Sequence, residues 1–366
     1  MKTALVQETG RAAVFLGPGQ PLQLQRLALP TPEQGEALVR IECCTICGSD
    51  LHTISGARKE PTPSILGHEI LGRVERVGDP PPRDVNGSPL APDDRITWST
   101  SISCAKCDRC ERGLPQKCRS LAKYGHEISA GRWALNGGLA DYLLLRRGSA
   151  PLRVPEDLPA EILCPVNCAT ATITAAFRVA GGLAGRNVLI VGAGMLGITA
   201  CAFAKSQGAA IVAACDVDAR RLAFATKFGA DSTAEWMADA VGLREKLLPH
   251  QADGFDVIVE VSGSPDAVES AVSFAGIGGH VVLVGSVKKS RPVAIDPEQV
   301  IRRWITIHGV HNYTPTDLRT AVDFLTRFGE QYPFATLVEK TYSLTEVNAA
   351  IEMASRSRPF RVAVRP

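Results

Sequence analysis

Long apolar runs are missing from this chain. Nowhere do about 18 apolar residues follow one another, so no membrane-spanning helix is expected. Charge of one sign is missing too. The net charge is +2 over 366 residues, with no long basic run, which argues against nucleic acid and against an anionic membrane surface as partners. Aromatic residues make up 5% of the chain and form no stripe on which bases could stack. No apolar leader is expected, since Glu8 stands where a signal peptide would carry its apolar core. A cytoplasmic location is therefore expected.

Cysteine, by contrast, is plentiful. There are 11, an odd number, in a large chain without an export signal, so metal binding or core packing is favoured over disulfides. Cys104, Cys107, Cys110 and Cys118 stand as C-x2-C-x2-C-x7-C. Four thiolates in one short lobe can close a tetrahedral shell around zinc. That shell is saturated and leaves no place for a substrate, so the quartet reads as scaffold. Cys47, His68 and Cys168 lie where a second, open site would need donors. Cys43, Cys44, Cys164, Cys201 and Cys215 read as core residues, with Cys164 a rival to Cys168 as a ligand.

The length suggests two domains. The first 150 residues are β-rich by pattern, with short apolar runs such as Ala37–Ile41 and Gly72–Val77 broken by Gly and Pro. Residues 79 to 93 are proline-rich and carry Asn86-Gly87, which predicts an exposed loop with a polar tip. From about residue 165 strand-like and helix-like segments alternate. Strands are expected at 188–191, 211–215, 255–261 and 280–284, and helices at 195–207, 219–228 and 266–275. This βαβαβ series predicts an α/β, doubly wound parallel sheet.

Gly192-Ala193-Gly194-Met195-Leu196-Gly197 is a G-x-G-x-x-G that follows an apolar strand and opens a helix. Such a turn brings backbone close to a pyrophosphate, and the helix N-terminus offers it free N–H groups. Asp216 ends the second strand. A carboxylate there accepts from both ribose hydroxyls and repels a 2′-phosphate, which favours NAD over NADP. Arg220 and Arg221 follow closely and keep NADP as the alternative.

Cys47-Gly48-Ser49-Asp50-Leu51-His52 and Gly67-His68-Glu69, with the quartet and the glycine motif in this order, resemble zinc-dependent alcohol dehydrogenases of the medium-chain dehydrogenase/reductase superfamily. The resemblance covers nearly the whole chain. It implies a β-rich GroES-like catalytic domain (1–168 and 309–366, structural zinc lobe about 99–120) and a Rossmann NAD-binding domain (169–308). It further implies two zinc ions per chain, with Cys47, His68 and Cys168 as ligands of the catalytic one and Glu69 beside the metal. Ser49 would take the proton of the reacting alcohol and pass it by way of the cofactor ribose to His52. Asp50 would orient His68. Gly192, Gly194, Gly197, Asp216 and Arg221 would bind NAD. Arg361 matches a position that contacts the cofactor pyrophosphate, a surface salt bridge being the other reading. A homodimer or homotetramer is implied.

Lys123-Tyr124-Gly125-His126-Glu127 and the loop around Asn86-Gly87 resemble a subgroup associated with phosphonate catabolism, related to cyclitol dehydrogenases. The expected substrate is thus a polar alcohol: a polyol, a cyclitol or its phosphate, or a hydroxyalkyl phosphonate. Arg58, Lys59, Lys123 and Arg132 are candidate anchors for an anionic group, and His126 reads as substrate-facing or loop-packing. Two other readings compete: a zinc-free quinone or enoyl reductase of the same superfamily, and a non-catalytic zinc-binding interaction protein.

Overall fold

The computed structural model describes residues 8–236, 240–247 and 253–366. The chain divides into two compact units. One runs to Cys168 and takes in Thr314–Thr326 and Phe334–Pro366; the other holds Ala169–Tyr313 and Arg327–Pro333.

The first unit is built on a seven-stranded sheet. Its order is Pro151–Arg153, Arg95–Trp98, Glu69–Val77, Ala37–Thr45, Arg361–Arg365, Val338–Ser343, with Tyr142–Leu145 also paired to Ala37–Thr45. A small sheet of Gln23–Ala28, Thr9–Phe15 and Ser64–Ile65 adds a second layer. The core between them is apolar and closely filled. Tyr124 is fully buried between Trp98 and Trp133, edge-on to both at 6.0 and 5.8 Å between ring centres. Its hydroxyl is satisfied by Ser149 and by the Arg146 N–H, as a buried phenol requires.

The proline-rich loop differs in part from the expectation. Its tip, 86–89, is exposed, but Asp84 and Leu90 are buried. Asp84 accepts from the N–H groups of Asn86 and Ser88 and from Arg153, which ties the loop down.

The second unit is a six-stranded parallel sheet in the order Ser232–Glu235, Ile211–Asp216, Asn187–Val191, Phe255–Glu260, Ala275–Leu283, Thr306–Gly309. Val188 to Val191 are buried on both faces, which is why they read as one unbroken apolar run. The helix Met195–Ser206 is almost wholly buried because helix Ala169–Ala180 covers its outer side, with Phe177 stacked on Phe203 at 5.6 Å. Strand order reverses between Asn187–Val191 and Phe255–Glu260. That switch point leaves a crevice at the carboxyl ends of the strands. The chain returns to the first unit at Thr314 rather than 309, because Thr306–Gly309 forms the sixth strand of this sheet.

Candidate metal centres and cofactor pocket

The quartet occupies a lobe with little regular structure of its own. Its base is the antiparallel pair Ser101–Ile102 and Ala122–Lys123. Cys107 precedes the one-turn helix Asp108–Glu111, and Cys118 ends the 3-10 turn Pro115–Lys117. Sulfur separations are 3.6 Å for Cys107–Cys110, 3.9 Å for Cys107–Cys118 and 3.4 Å for Cys118–Cys104. Four thiolates at 2.3 Å from one tetrahedral zinc stand about 3.8 Å apart, so the donor set fits the ion. Metal-free, the thiols divide their protons unevenly. Burial at Cys118 is outweighed by N–H groups of Cys104 and Ser120, which bring it down to about 6. Burial and the neighbouring thiols raise Cys110 to about 12.

Cys47, His68, Glu69 and Cys168 form the second cluster, with their donor atoms within 4.8 Å of one another. Cys47 sits at the N-terminus of helix Gly48–Ile54, His68 just before strand Glu69–Val77, and Cys168 at the end of the 3-10 turn Cys164–Asn167. Cys164, the rival ligand, points elsewhere: its thiol donates to the carbonyls of Cys43 and Glu69.

Three buried side chains tie these segments together. Asp50 accepts from the N–H of Cys47 at 2.9 Å and from that of Gly67 at 3.2 Å, and its Oδ1 lies 3.4 Å from Nδ1 of His68. Nδ1 therefore faces the carboxylate, and Nε2 is left to be the ligating atom. Ser49 Oγ lies 3.4 Å from that Nε2. Asn167 donates to the carbonyls of His68 and Trp98. The third is Arg361. It is buried, chelates Glu69 with two 2.6 Å bonds, donates to the Phe360 carbonyl, and lies 3.7 Å from the Cys47 sulfur. The surface-salt-bridge reading of Arg361 does not hold: the pair with Glu69 is buried. Thr45 Oγ1 donates to Glu69 at 2.6 Å, so both carboxylate oxygens are already bonded. The site thus gathers four donor groups, of which Glu69 is the one already bonded to Arg361 and Thr45.

The electrostatics suit a cation. Cys47 is held well below the usual thiol range, first by the Cys168 thiol, then by Arg361 and His68, against the effect of burial. Cys168 rises correspondingly, because the two sulfurs share a proton. Burial would depress His68, but Asp50 and Cys47 hold it well above its ordinary value. His52 lies one turn after Ser49 on the same short helix and is exposed.

In the second unit a cavity of about 340 Å3 opens at the switch point, lined in part by Gly192, Gly194, Asp216, Arg221, Trp236 and Ser262. Gly197 allows the helix to sit on the turn: a Cβ there would stand 1.8 Å from the Gly192 carbonyl. Gly194 is the N-cap of helix Met195–Ser206. Asp216 accepts from the Ala193 N–H at 2.6 Å and the Asp218 N–H at 2.9 Å, so it also fixes the glycine turn. A carboxylate has lone pairs left for ribose hydroxyls after two such bonds. The glycine-floored crevice, with Asp216 on its wall, suits the adenosine end of a dinucleotide.

Residues 33–156 match the alcohol dehydrogenase GroES-like domain, and residues 196–327 match the zinc-binding dehydrogenase family. The L-threonine 3-dehydrogenase of Streptomyces avermitilis is 30% identical over 98% of this chain and 98% of its own. The chain belongs to the zinc-binding dehydrogenases. The 5-exo-hydroxycamphor dehydrogenase of Pseudomonas putida is a further relative, 28% identical over 94% of this chain and 95% of its own. Among solved structures, an alcohol dehydrogenase from Thermotoga maritima superposes with a TM-score of 0.91 at 28% identity, covering 98% of this chain and 100% of its own. A zinc-binding dehydrogenase from Sinorhizobium meliloti, solved with NADP, gives 0.85 at 27% identity, with 98% and 100% covered.

Several residues of this zinc-binding dehydrogenase escape sequence reasoning. Asn167 adjoins Cys168 and could have been suspected from that alone. Trp236 on the pocket wall carries no local signal. Glu260 is buried at the end of its strand, where Oε1 gathers the N–H groups of Ser262 and Gly263 and the Ser262 hydroxyl, while Oε2 has no partner among the described residues. Burial raises its pKa despite those donors.

Proposed function

We propose that this chain is an NAD-dependent zinc alcohol dehydrogenase acting on a polar alcohol or the matching carbonyl: a polyol, a cyclitol or its phosphate, or a hydroxyalkyl phosphonate. The observation that carries the reading is the cluster of Cys47, His68 and Cys168, with Glu69 already bonded to Arg361 and Thr45. Three protein donors leave a fourth position for an exchangeable oxygen, the mark of a catalytic rather than a structural zinc. A zinc bound there acts as a Lewis acid that makes an alcohol proton easier to lose. NAD supplies the hydride acceptor.

The chain's own groups do the rest. Ser49 Oγ, adjacent to Nε2 of His68, is placed to accept the alcohol proton. His52, exposed at the end of the same helix, carries a proton to solvent. Asp50 fixes the tautomer and direction of His68. Arg361 keeps Glu69 from acting as an uncompensated charge beside the thiolates. Losing one partner of such a buried pair costs about 3–5 kcal/mol.

Two zinc ions per chain are part of this reading, one for each donor set. NAD is favoured over NADP by Asp216 at the pocket wall. Assembly as a homodimer or homotetramer is supported by exposed Ile277, Ile301 and Trp304 near the edge strand Thr306–Gly309. A reducing, cytoplasmic setting suits 11 cysteines that form no disulfide.

The test is reduction of NAD and of NADP by the zinc-loaded protein over a panel of polyols, cyclitols, cyclitol phosphates and hydroxyalkyl phosphonates, followed at 340 nm. Turnover with NAD preferred by about 10-fold or more is expected, with Asp216→Gly erasing the preference. Equal rates with both cofactors in wild type and variant move the discrimination away from Asp216. No oxidation of any alcohol contradicts the dehydrogenase assignment.

A further inference from the structure

Lys123 ends the short strand Ala122–Lys123 and is half-buried. Its ammonium has no hydrogen bond or ion pair among the described residues; its backbone N–H donates to Glu127 at 3.0 Å and its carbonyl accepts from the His126 N–H. The next residues fasten this turn against the metal centre. Tyr124 is locked in the core between Trp98 and Trp133. Gly125, at φ +76°, packs on the segment before His68, where a Cβ would meet the Gly67 carbonyl at 2.6 Å. His126 brings its ring centre within 5.0 Å of that of His68.

The other candidate cations are accounted for. Arg132 is bonded to Glu33, Glu36 and the Thr31 carbonyl. Lys59 is exposed. Arg58 is paired with Glu60 at 2.6 Å, and Glu60 also lies 3.1 Å from Nδ1 of His126. Lys123 feels Glu60 only at a distance, since the Glu60 carboxylate is taken up by Arg58 and His126. Burial, with Arg58 and Lys117 nearby, brings Lys123 down to about 8, against the weaker pull of Glu60 and Cys168. A desolvated cation without a partner is costly, and an oxyanion from a ligand relieves that cost.

We propose that Lys123 is the anchor of an anion-binding subsite beside the Cys47–His68–Cys168 centre, and that the alcohol taken by this enzyme carries a phosphate, phosphonate or carboxylate group away from its reacting carbon. The inference rests on the dehydrogenase reading above and narrows its substrate class.

Matched alcohols test it in the zinc-loaded full chain: myo-inositol 1-phosphate against myo-inositol, 2-hydroxyethylphosphonate against 1-propanol, 3-hydroxybutyrate against 2-butanol. The wild type is expected to favour the charged member of at least one pair, which tells phosphate, phosphonate and carboxylate apart. In Lys123→Gln the ratio of kcat/KM for charged over neutral member falls about 10- to 100-fold, through KM of the charged one, and Lys123→Arg restores most of it. A ratio unmoved by Lys123→Gln, or a wild-type preference for every neutral member, overturns the subsite while leaving the dehydrogenase reading intact. A measurement independent of turnover separates the two further. Inorganic phosphate titrated calorimetrically into the zinc-loaded protein is expected to bind about 10-fold more weakly to Lys123→Gln than to wild type. Equal affinities overturn the proposal even if the dehydrogenase assignment fails.

Discussion

Residues 104 to 118 supply every donor of the cysteine quartet, whereas the Cys47–His68–Cys168 centre gathers its donors from three separate segments and is braced by Arg361 in the last strand. The quartet's sulfurs bond mainly to one another and to local N–H groups. The second centre is enclosed by Asp50, Asn167, Thr45 and Arg361, each bonded to a ligand residue or to its neighbour. A local cluster can close around an ion with little help from the fold and serves to stabilise its own loop. A dispersed one exists only when the fold is complete, and its surroundings can keep one coordination position open.

Substitutions sharpen that contrast. The largest effect is expected at the dispersed centre. His68→Ala should lower kcat/KM about 1,000-fold or more, with NAD affinity, followed by fluorescence titration, within about 2-fold of wild type. Retained turnover in that variant removes His68 from the chemistry. A smaller and different effect is expected at the quartet. Cys107→Ser should lower the thermal midpoint by about 10 °C, read by circular dichroism, while kcat per folded molecule at low temperature changes by less than about 3-fold. A stable Cys107→Ser protein that has lost only its activity would mean the lobe has been given the wrong role.

The same contrast decides what can be read from the sequence. The quartet is visible from spacing alone because its donors are neighbours in the chain. The parallel sheet is visible because strands buried on both faces write continuous apolar runs, as at Val188–Val191, and Gly192-x-Gly194-x-x-Gly197 follows such a run directly. Cys168 is harder. Only the folded chain separates it from Cys164, four residues earlier on the same turn, whose thiol is occupied by the carbonyls of Cys43 and Glu69. Arg361 is hardest, since its partner Glu69 is 292 positions away and nothing local marks the pair. Lys123 is one of four candidate anchors in the sequence, and only the folded chain sets it apart from Arg58 and Arg132, which are paired.

The most direct measurement is the zinc content of purified wild-type, His68→Ala and Cys107→Ser proteins by mass spectrometry of the metal. The account predicts two ions per chain in the wild type, with only the open-site ion lost from His68→Ala and only the quartet ion lost from Cys107→Ser. A single ion in the wild type, or the loss of both ions from His68→Ala, would contradict it.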